Sequence, residues 1–172
     1  ENEKICVYGD YDVDGITSTA LVCKYLQCRG FDNFIYYIPE RLSEGYGMNI
    51  TAVEKIASLG VNLIITVDNG VSAAAEIARA GELGVDVIVT DHHECRSEIP
   101  ECVAVINPKR PGCGYPFMHL AGVGVAYKLV CAANVGLEPL PDSFLELVAI
   151  GTIADMMPLD GENRTLAAKG LA

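Results

Sequence analysis

The residues able to do chemistry in this sequence fall into four short clusters. Gly9-Asp10-Tyr11-Asp12-Val13-Asp14-Gly15 sets three carboxylates at alternate positions, and Val67-Asp68-Asn69-Gly70 adds another behind a β-branched run. Thr90-Asp91-His92-His93-Glu94 follows a second such run, and Asp155 stands late in the chain, in Gly151-Thr152-Ile153-Ala154-Asp155-Met156. Carboxylates gathered at one rim cannot all stay ionised without cations, because like charges at close range raise one another's pKa. Two divalent ions would settle such a rim, and oxygen-rich ligation with one or two imidazoles suits Mn²⁺ or Mg²⁺ better than Zn²⁺. Two ions about 3.5–4 Å apart hydrolyse phosphate esters, one activating water and the other steadying the leaving oxygen. Asp12 and Asp14 can point toward neighbouring ions, with Asp68 able to bridge them. Each cluster alone has a plainer reading. Asp10, Asp12 and Asp14 serve equally as turn and N-cap residues, Asp68-Asn69-Gly70 as a strand-to-helix turn, and Asp155 as an exposed or capping helix residue. Adjacent histidines after a strand are harder to explain without a ligand role.

Bringing these clusters together requires a scaffold, and the pattern of the chain predicts one. Strands are expected at residues 5–9, 33–38, 62–67, 85–90 and 103–106, as short β-branched runs. Between them fall helices at about 15–29, stopped by Gly30; 49–59, capped by Asn49 and stopped by Gly60; and 72–83, capped by Ser72 and stopped by Gly84. After a Pro/Gly-rich loop to about residue 118 come helices at about 121–135 and 142–156, and the tail 162–172 reads as the start of another helix. Near-continuous apolar strands alternating with helices predict an α/β fold: a parallel five-stranded sheet with helices on both faces, followed by a helical segment. Ligands of such sheets sit beyond the carboxyl ends of the strands, which is where three of the four clusters fall. The expected division is a catalytic domain over residues 1–160, with 161–172 beginning a linker helix to a further domain.

Composition bounds the remaining possibilities. With 172 residues, 51% hydrophobic and 20% charged, the chain is neither disordered, collagen-like nor a disulfide scaffold. No apolar run is long enough to span a membrane, and the opening Glu1-Asn2-Glu3-Lys4 is no signal peptide. Twelve basic against 23 acidic residues, a formal −11, argue against a large basic footprint for nucleic acid on this stretch alone. Seven cysteines, an odd number without a C-x-x-C pair, fit a reducing, cytoplasmic compartment. Cys95, Cys102 and Cys113, with His119 nearby, match no usual zinc spacing and read as free thiols. No P-loop is present. Gly122-Val123-Gly124 reads first as the close-packed start of a helix and second as a point of phosphate approach. Lys109 and Arg110 read as a solvated loop pair before they read as phosphate contacts.

The four clusters together, with Gly151-Thr152-Ile153-Ala154-Asp155-Met156-Met157-Pro158-Leu159, resemble the four ordered motifs of the DHH phosphoesterases. Pro39-Glu40-Arg41, Glu44-Gly45-Tyr46-Gly47 and Leu120-Ala121-Gly122-Val123-Gly124-Val125-Ala126-Tyr127-Lys128-Leu129 point to the branch of single-strand-specific DNA exonucleases. The resemblance spans nearly the whole chain. It implies Asp12 on one Mn²⁺ or Mg²⁺ ion and Asp14 on a second, Asp68 bridging, and His92 with Asp155 completing the second ion. His93 would face the scissile phosphate and Asp91 would orient the histidine pair. Many relatives carry a metal-binding histidine where this chain has Tyr8, and Asp10, directly or through water, would stand in for it. The implied reaction is hydrolysis of single-stranded DNA from the 5′ end to 5′-mononucleotides, in DNA repair and recombination. The implied partners are single-stranded DNA, a helicase, a single-strand-binding protein and further domains that complete the cleft, with no membrane involved. Phosphodiesterases of short oligonucleotides or cyclic dinucleotides, a pyrophosphatase, and a non-catalytic scaffold are the alternatives. The phosphodiesterases and the pyrophosphatase usually keep the upstream histidine, and scaffolds lose metal ligands that are present here.

Overall fold

The computed structural model describes residues 3–95 and 98–172; Glu1 and Asn2, half of the opening segment read above, lie outside the described residues. Five strands form one sheet, β1 (Ile5–Tyr8), β2 (Phe34–Tyr37), β3 (Leu63–Val67), β4 (Asp86–Thr90) and β5 (Ala104–Ile106), in the order β2-β1-β3-β4-β5. Every neighbouring pair is parallel, with Ile5 opposite both Phe34 and Leu63, and Leu63 opposite Asp86. The helices are α1 (Val13–Cys28), α2 (Ile50–Ser58), α3 (Ala74–Glu82), α4 (Gly122–Ala133), α5 (Ser143–Ala154) and α6 (Gly161–Gly170).

Side-chain alternation along the strands divides the core in two. Cys6, Tyr8, Ile64, Val87 and Val89 face α2 and α3, where Val53, Ile56, Ile77 and Ala80 are buried. Val7, Ile65 and Val67 face α1, α4 and α5, packing with Leu21, Val22, Val123, Phe144 and Val148. The expected α/β architecture is therefore the observed one. Asn49 caps α2 by accepting the Ala52 N–H at 2.7 Å, and Gly30, Gly60 and Gly84 follow α1, α2 and α3 with left-handed backbone.

Two helix ends differ from the sequence reading. Ser72 does not cap α3: the chain turns at Gly70, the Ala73 N–H bonds the Gly70 carbonyl, and the helix begins at Ala74 without a side-chain cap. Helix α5 stops at Ala154, because Met156 adopts φ 54° while the Met156 and Met157 N–H groups close back on Ile153 and Thr152. Asp155 is thus the C-cap of α5 and not an interior helix residue. The tail forms α6, which packs on α5 and buries Leu166 and Ala167. Among the described residues no helix is long and apolar enough to cross a membrane.

Strand order reverses between β1 and β3: β1 leads outward to β2 and β3 outward to β4. That reversal splays the loops beyond the two carboxyl ends and opens a crevice. Asp10 to Asp14 follow β1 and Asp68 follows β3, so the fold delivers them to opposite walls of it.

Candidate metal centre

Asp14 lies in the first turn of α1, almost wholly buried. Both its oxygens accept backbone N–H groups from the start of α4, Oδ2 from Gly122 at 2.6 Å and Oδ1 from Val123 at 2.8 Å. The positive end of α4 thus grips this carboxylate. Burial pushes the Asp14 pKa up, and the Val123 and Gly122 N–H groups and His92 oppose that rise. Since α4 spends these donors on Asp14, the first reading of Gly122-Val123-Gly124, a close-packed helix start, is the one that holds.

Asp68 follows β3 with φ 62°, a left-handed conformation that aspartate tolerates better than most residues. A Cβ on Gly122 would lie 2.6 Å from the Asp68 Cβ and 2.7 Å from its Cγ, so only glycine leaves room for this side chain. Gly151 plays the same part beside Asp14: a Cβ there would meet Val123 Cγ1 at 2.7 Å and Asp14 Oδ1 at 2.9 Å.

His92 enters from the end of β4. Its Nε2 stands 3.1 Å from Asp68 Oδ1, and 3.7 Å from both Asp14 Oδ2 and Asp155 Oδ2. Burial holds the His92 pKa below its ordinary value, favouring the neutral ring. Burial, then the neighbouring Asp14 and Asp12 carboxylates, push the Asp68 pKa well up. Despite the 3.1 Å approach, Asp68 Oδ1 has no hydrogen-bond partner, and neither do His92 Nδ1 and Asp10 Oδ2. Asp155 meanwhile sits at the negative end of α5, where a carboxylate is unfavourable by itself. Converging acceptors, the orphaned Asp68 Oδ1 and a carboxylate at the wrong helix end all fit one remedy, a divalent cation. Among the described residues, two sets of donor atoms lie within 4.8 Å of one another: Asp14, His92 and Asp155, and Asp68, His92 and His93.

Asp91 has a different role. Its Oδ1 accepts the His92 N–H, the His93 N–H and His93 Nδ1, at 2.7, 3.1 and 2.7 Å, and its Oδ2 accepts the Val71 N–H at 2.9 Å. Burial favours a raised pKa, yet these bonds hold the carboxyl below its ordinary value. An acceptor so fully used orients the histidines and has little left for a metal. The bond to Asp91 in turn raises the His93 pKa to about 9.

Asp10 and Asp12 are not drawn into either three-residue set. Asp12 Oδ1 caps α1 on the Gly15 N–H at 2.9 Å, and Asp10 Oδ1 takes the Tyr11 N–H at 2.6 Å. Asp10 is nonetheless fully buried, and desolvation lifts its pKa to about 6 with Asp12 and Asp91 adding to the rise. Tyr8, where the resemblance expects a histidine, is buried and donates to the Gly47 carbonyl at 3.1 Å. All seven cysteines are free, and among the described residues none joins a group of metal-binding side chains. Lys109 pairs with Glu94 at 3.2 Å.

Sequence reasoning found close packing at Gly122 but not its partner Asp68, and gave Gly151 and Tyr46 no role beyond their motifs. Glycine in an apolar helical stretch announces close packing but not against what, and Tyr46 carried no chemical signal beyond its motif.

Residues 4–152 match the family model described as "DHH family, N-terminal domain". The chain is 53% identical over 171 residues to the single-stranded-DNA-specific exonuclease RecJ of Bacillus subtilis, covering 99% of this chain but 21% of that protein. A crystal structure of exonuclease RecJ bound to manganese superposes with a TM-score of 0.89 at 39% identity, covering 99% of this chain and 43% of that one. RecJ of Thermus thermophilus in complex with Mn²⁺ gives a TM-score of 0.82 at 36% identity, covering 99% and 24%. CDC45 from Entamoeba histolytica, 13% identical with a TM-score of 0.63, shares the fold alone. The chain therefore spans about a fifth of the length of the Bacillus relative.

Proposed function

The chain belongs to the DHH family, and from that premise we propose that it carries the metal-binding half of a single-stranded-DNA-specific 5′–3′ exonuclease. The observation that carries this reading is the meeting of Asp14, Asp68 and Asp155 on His92 Nε2, with buried acceptor atoms left unpaired. Similarity to proteins named single-stranded-DNA-specific exonucleases, and to two RecJ structures that hold manganese, supports both the substrate and the ion.

In this reading Asp14, His92 and Asp155 would hold one Mn²⁺ or Mg²⁺ ion, Asp12 and Asp10 would hold another, and Asp68 would contribute to both. Bound there, the ions would supply an activated water and charge neutralisation at the leaving oxygen. The chain's own residues do the positioning. The start of α4 fixes Asp14, the left-handed turn fixes Asp68, and Asp91 fixes His93 toward the scissile phosphodiester. His93, kept protonated near neutral pH by Asp91, can hydrogen-bond a phosphate oxygen. The formal −11 makes this stretch repel DNA elsewhere, so the strand-gripping surfaces are assigned to other parts of a longer protein, with a helicase and a single-strand-binding protein as partners. Seven free thiols support a reducing, cytoplasmic setting.

Hydrolysis by the full-length protein with Mn²⁺ tests the reading. Single-stranded DNA carrying a 5′ phosphate is expected to yield 5′-mononucleotides while its duplex does not. Faster turnover of a cyclic dinucleotide, a short oligoribonucleotide or pyrophosphate would replace the substrate, and turnover of none would favour a scaffold.

A further inference from the structure

The loop between β2 and α2 brings Tyr46 to the metal centre, and its roots are tied down on several sides. Glu44 accepts the Tyr37 hydroxyl and the Glu40 N–H, and Tyr8 holds the Gly47 carbonyl from within the core. Gly45 and Gly47 have φ 80° and 77°, with open space where a Cβ would stand, so they are needed for the turn and not for room. Between them projects Tyr46. Its hydroxyl lies 3.0 Å from His93 Nε2, 3.3 Å from His93 Nδ1 and 3.4 Å from the Asp68 carbonyl oxygen. Its ring meets His93 edge-on, with centroids 5.7 Å apart, and Tyr11 edge-on at 6.4 Å.

Asp91, an acceptor only, fixes the opposite ring nitrogen, Nδ1, at 2.7 Å. An imidazole held at one nitrogen can still turn about that bond, and a hydroxyl standing across both nitrogens blocks that turn. We propose that Tyr46 is a positioning residue for His93: Asp91 holds Nδ1 while the Tyr46 hydroxyl stands across the two ring nitrogens, fixing the plane of the imidazole and leaving the in-plane Nε2 position open to the substrate phosphate. This inference rests on the phosphodiesterase reading of the rim. It also gives Tyr8 a purpose: in place of a metal-binding histidine, it anchors the loop that presents Tyr46.

Tyr46→Phe in the full-length protein removes only the hydroxyl of a half-exposed ring, so the fold should tolerate it. With Mn²⁺ and 5′-phosphorylated single-stranded DNA, kcat should fall about 10–100-fold. KM and Mn²⁺ affinity should stay within about twofold of wild type, which a merely structural role would not predict. Independently of turnover, the ring ¹⁵N resonances of His93 should shift or broaden in the variant. Wild-type kcat in Tyr46→Phe, or unchanged His93 resonances, would overturn the inference. If wild type cleaves neither DNA nor the generic diester bis(p-nitrophenyl) phosphate, the phosphodiesterase reading fails, and the His93 spectra still decide whether Tyr46 positions the ring.

Discussion

Replacing Gly122 with alanine puts a methyl group where Asp68 now stands. The new Cβ would be 2.6 Å from the Asp68 Cβ, against ordinary contact at 3.4 Å or more, so side chain or helix must retreat by about 0.8 Å. Overpacking of this kind costs about 1–3 kcal/mol in stability. The larger consequence falls on the site, since ligand displacements near 1 Å cost on the order of 100-fold where geometry matters. Mn²⁺ affinity measured by calorimetry should therefore fall about 10–100-fold, while the metal-free protein still melts cooperatively. Gly124→Ala, two residues along the same helix, is the comparison. Its Cβ would meet only Leu120, nearest at 3.2 Å, and Mn²⁺ binding should match wild type. Wild-type Mn²⁺ affinity in Gly122→Ala would refute the claim that the missing side chain sets the position of Asp68.

Asp68→Ala should weaken both ions in a Mn²⁺ titration, and loss of only one would remove its bridging role. Asp10 has its pKa raised from 3.8 to about 6, so its contribution to stability is complete below pH 3.8 and lost as pH rises through about 6. Asp10→Asn stays uncharged, so denaturant melts of the metal-free proteins should show the variant gaining on wild type between about pH 4 and 7; parallel curves would contradict this. Met156 holds φ 54° with its side chain 88% exposed, so Met156→Gly should stabilise the protein by about 0.5–1 kcal/mol in urea melts, and a loss would show that the side chain packs.

Much of this molecule is legible in its residues because the sheet obeys local rules. Runs such as Leu63–Val67 and Asp86–Thr90 are short, β-branched and followed by polar residues. A parallel sheet places whatever follows such runs on one rim, and this makes Asp68 and His92 recognisable as neighbours from the sequence. Helix boundaries are less legible where backbone hydrogen bonding, and not side-chain type, decides them. Ser72 is a good cap by type, yet the turn at Gly70 carries the chain past it. The grip of α4 on Asp14 joins residues 108 positions apart, and no periodicity encodes such a contact. The same holds for Tyr46, whose partner His93 lies 47 positions on.

Anomalous diffraction from crystals of the full-length protein grown with Mn²⁺ tests the two-ion rim most directly. The account predicts one peak ligated by Asp14, Asp68, His92 and Asp155, and a second beside it on the Asp10 and Asp12 side of Asp68, with Asp91 ligating neither. A rim without manganese, or with Asp91 as a ligand and Asp14 free of it, would contradict the account.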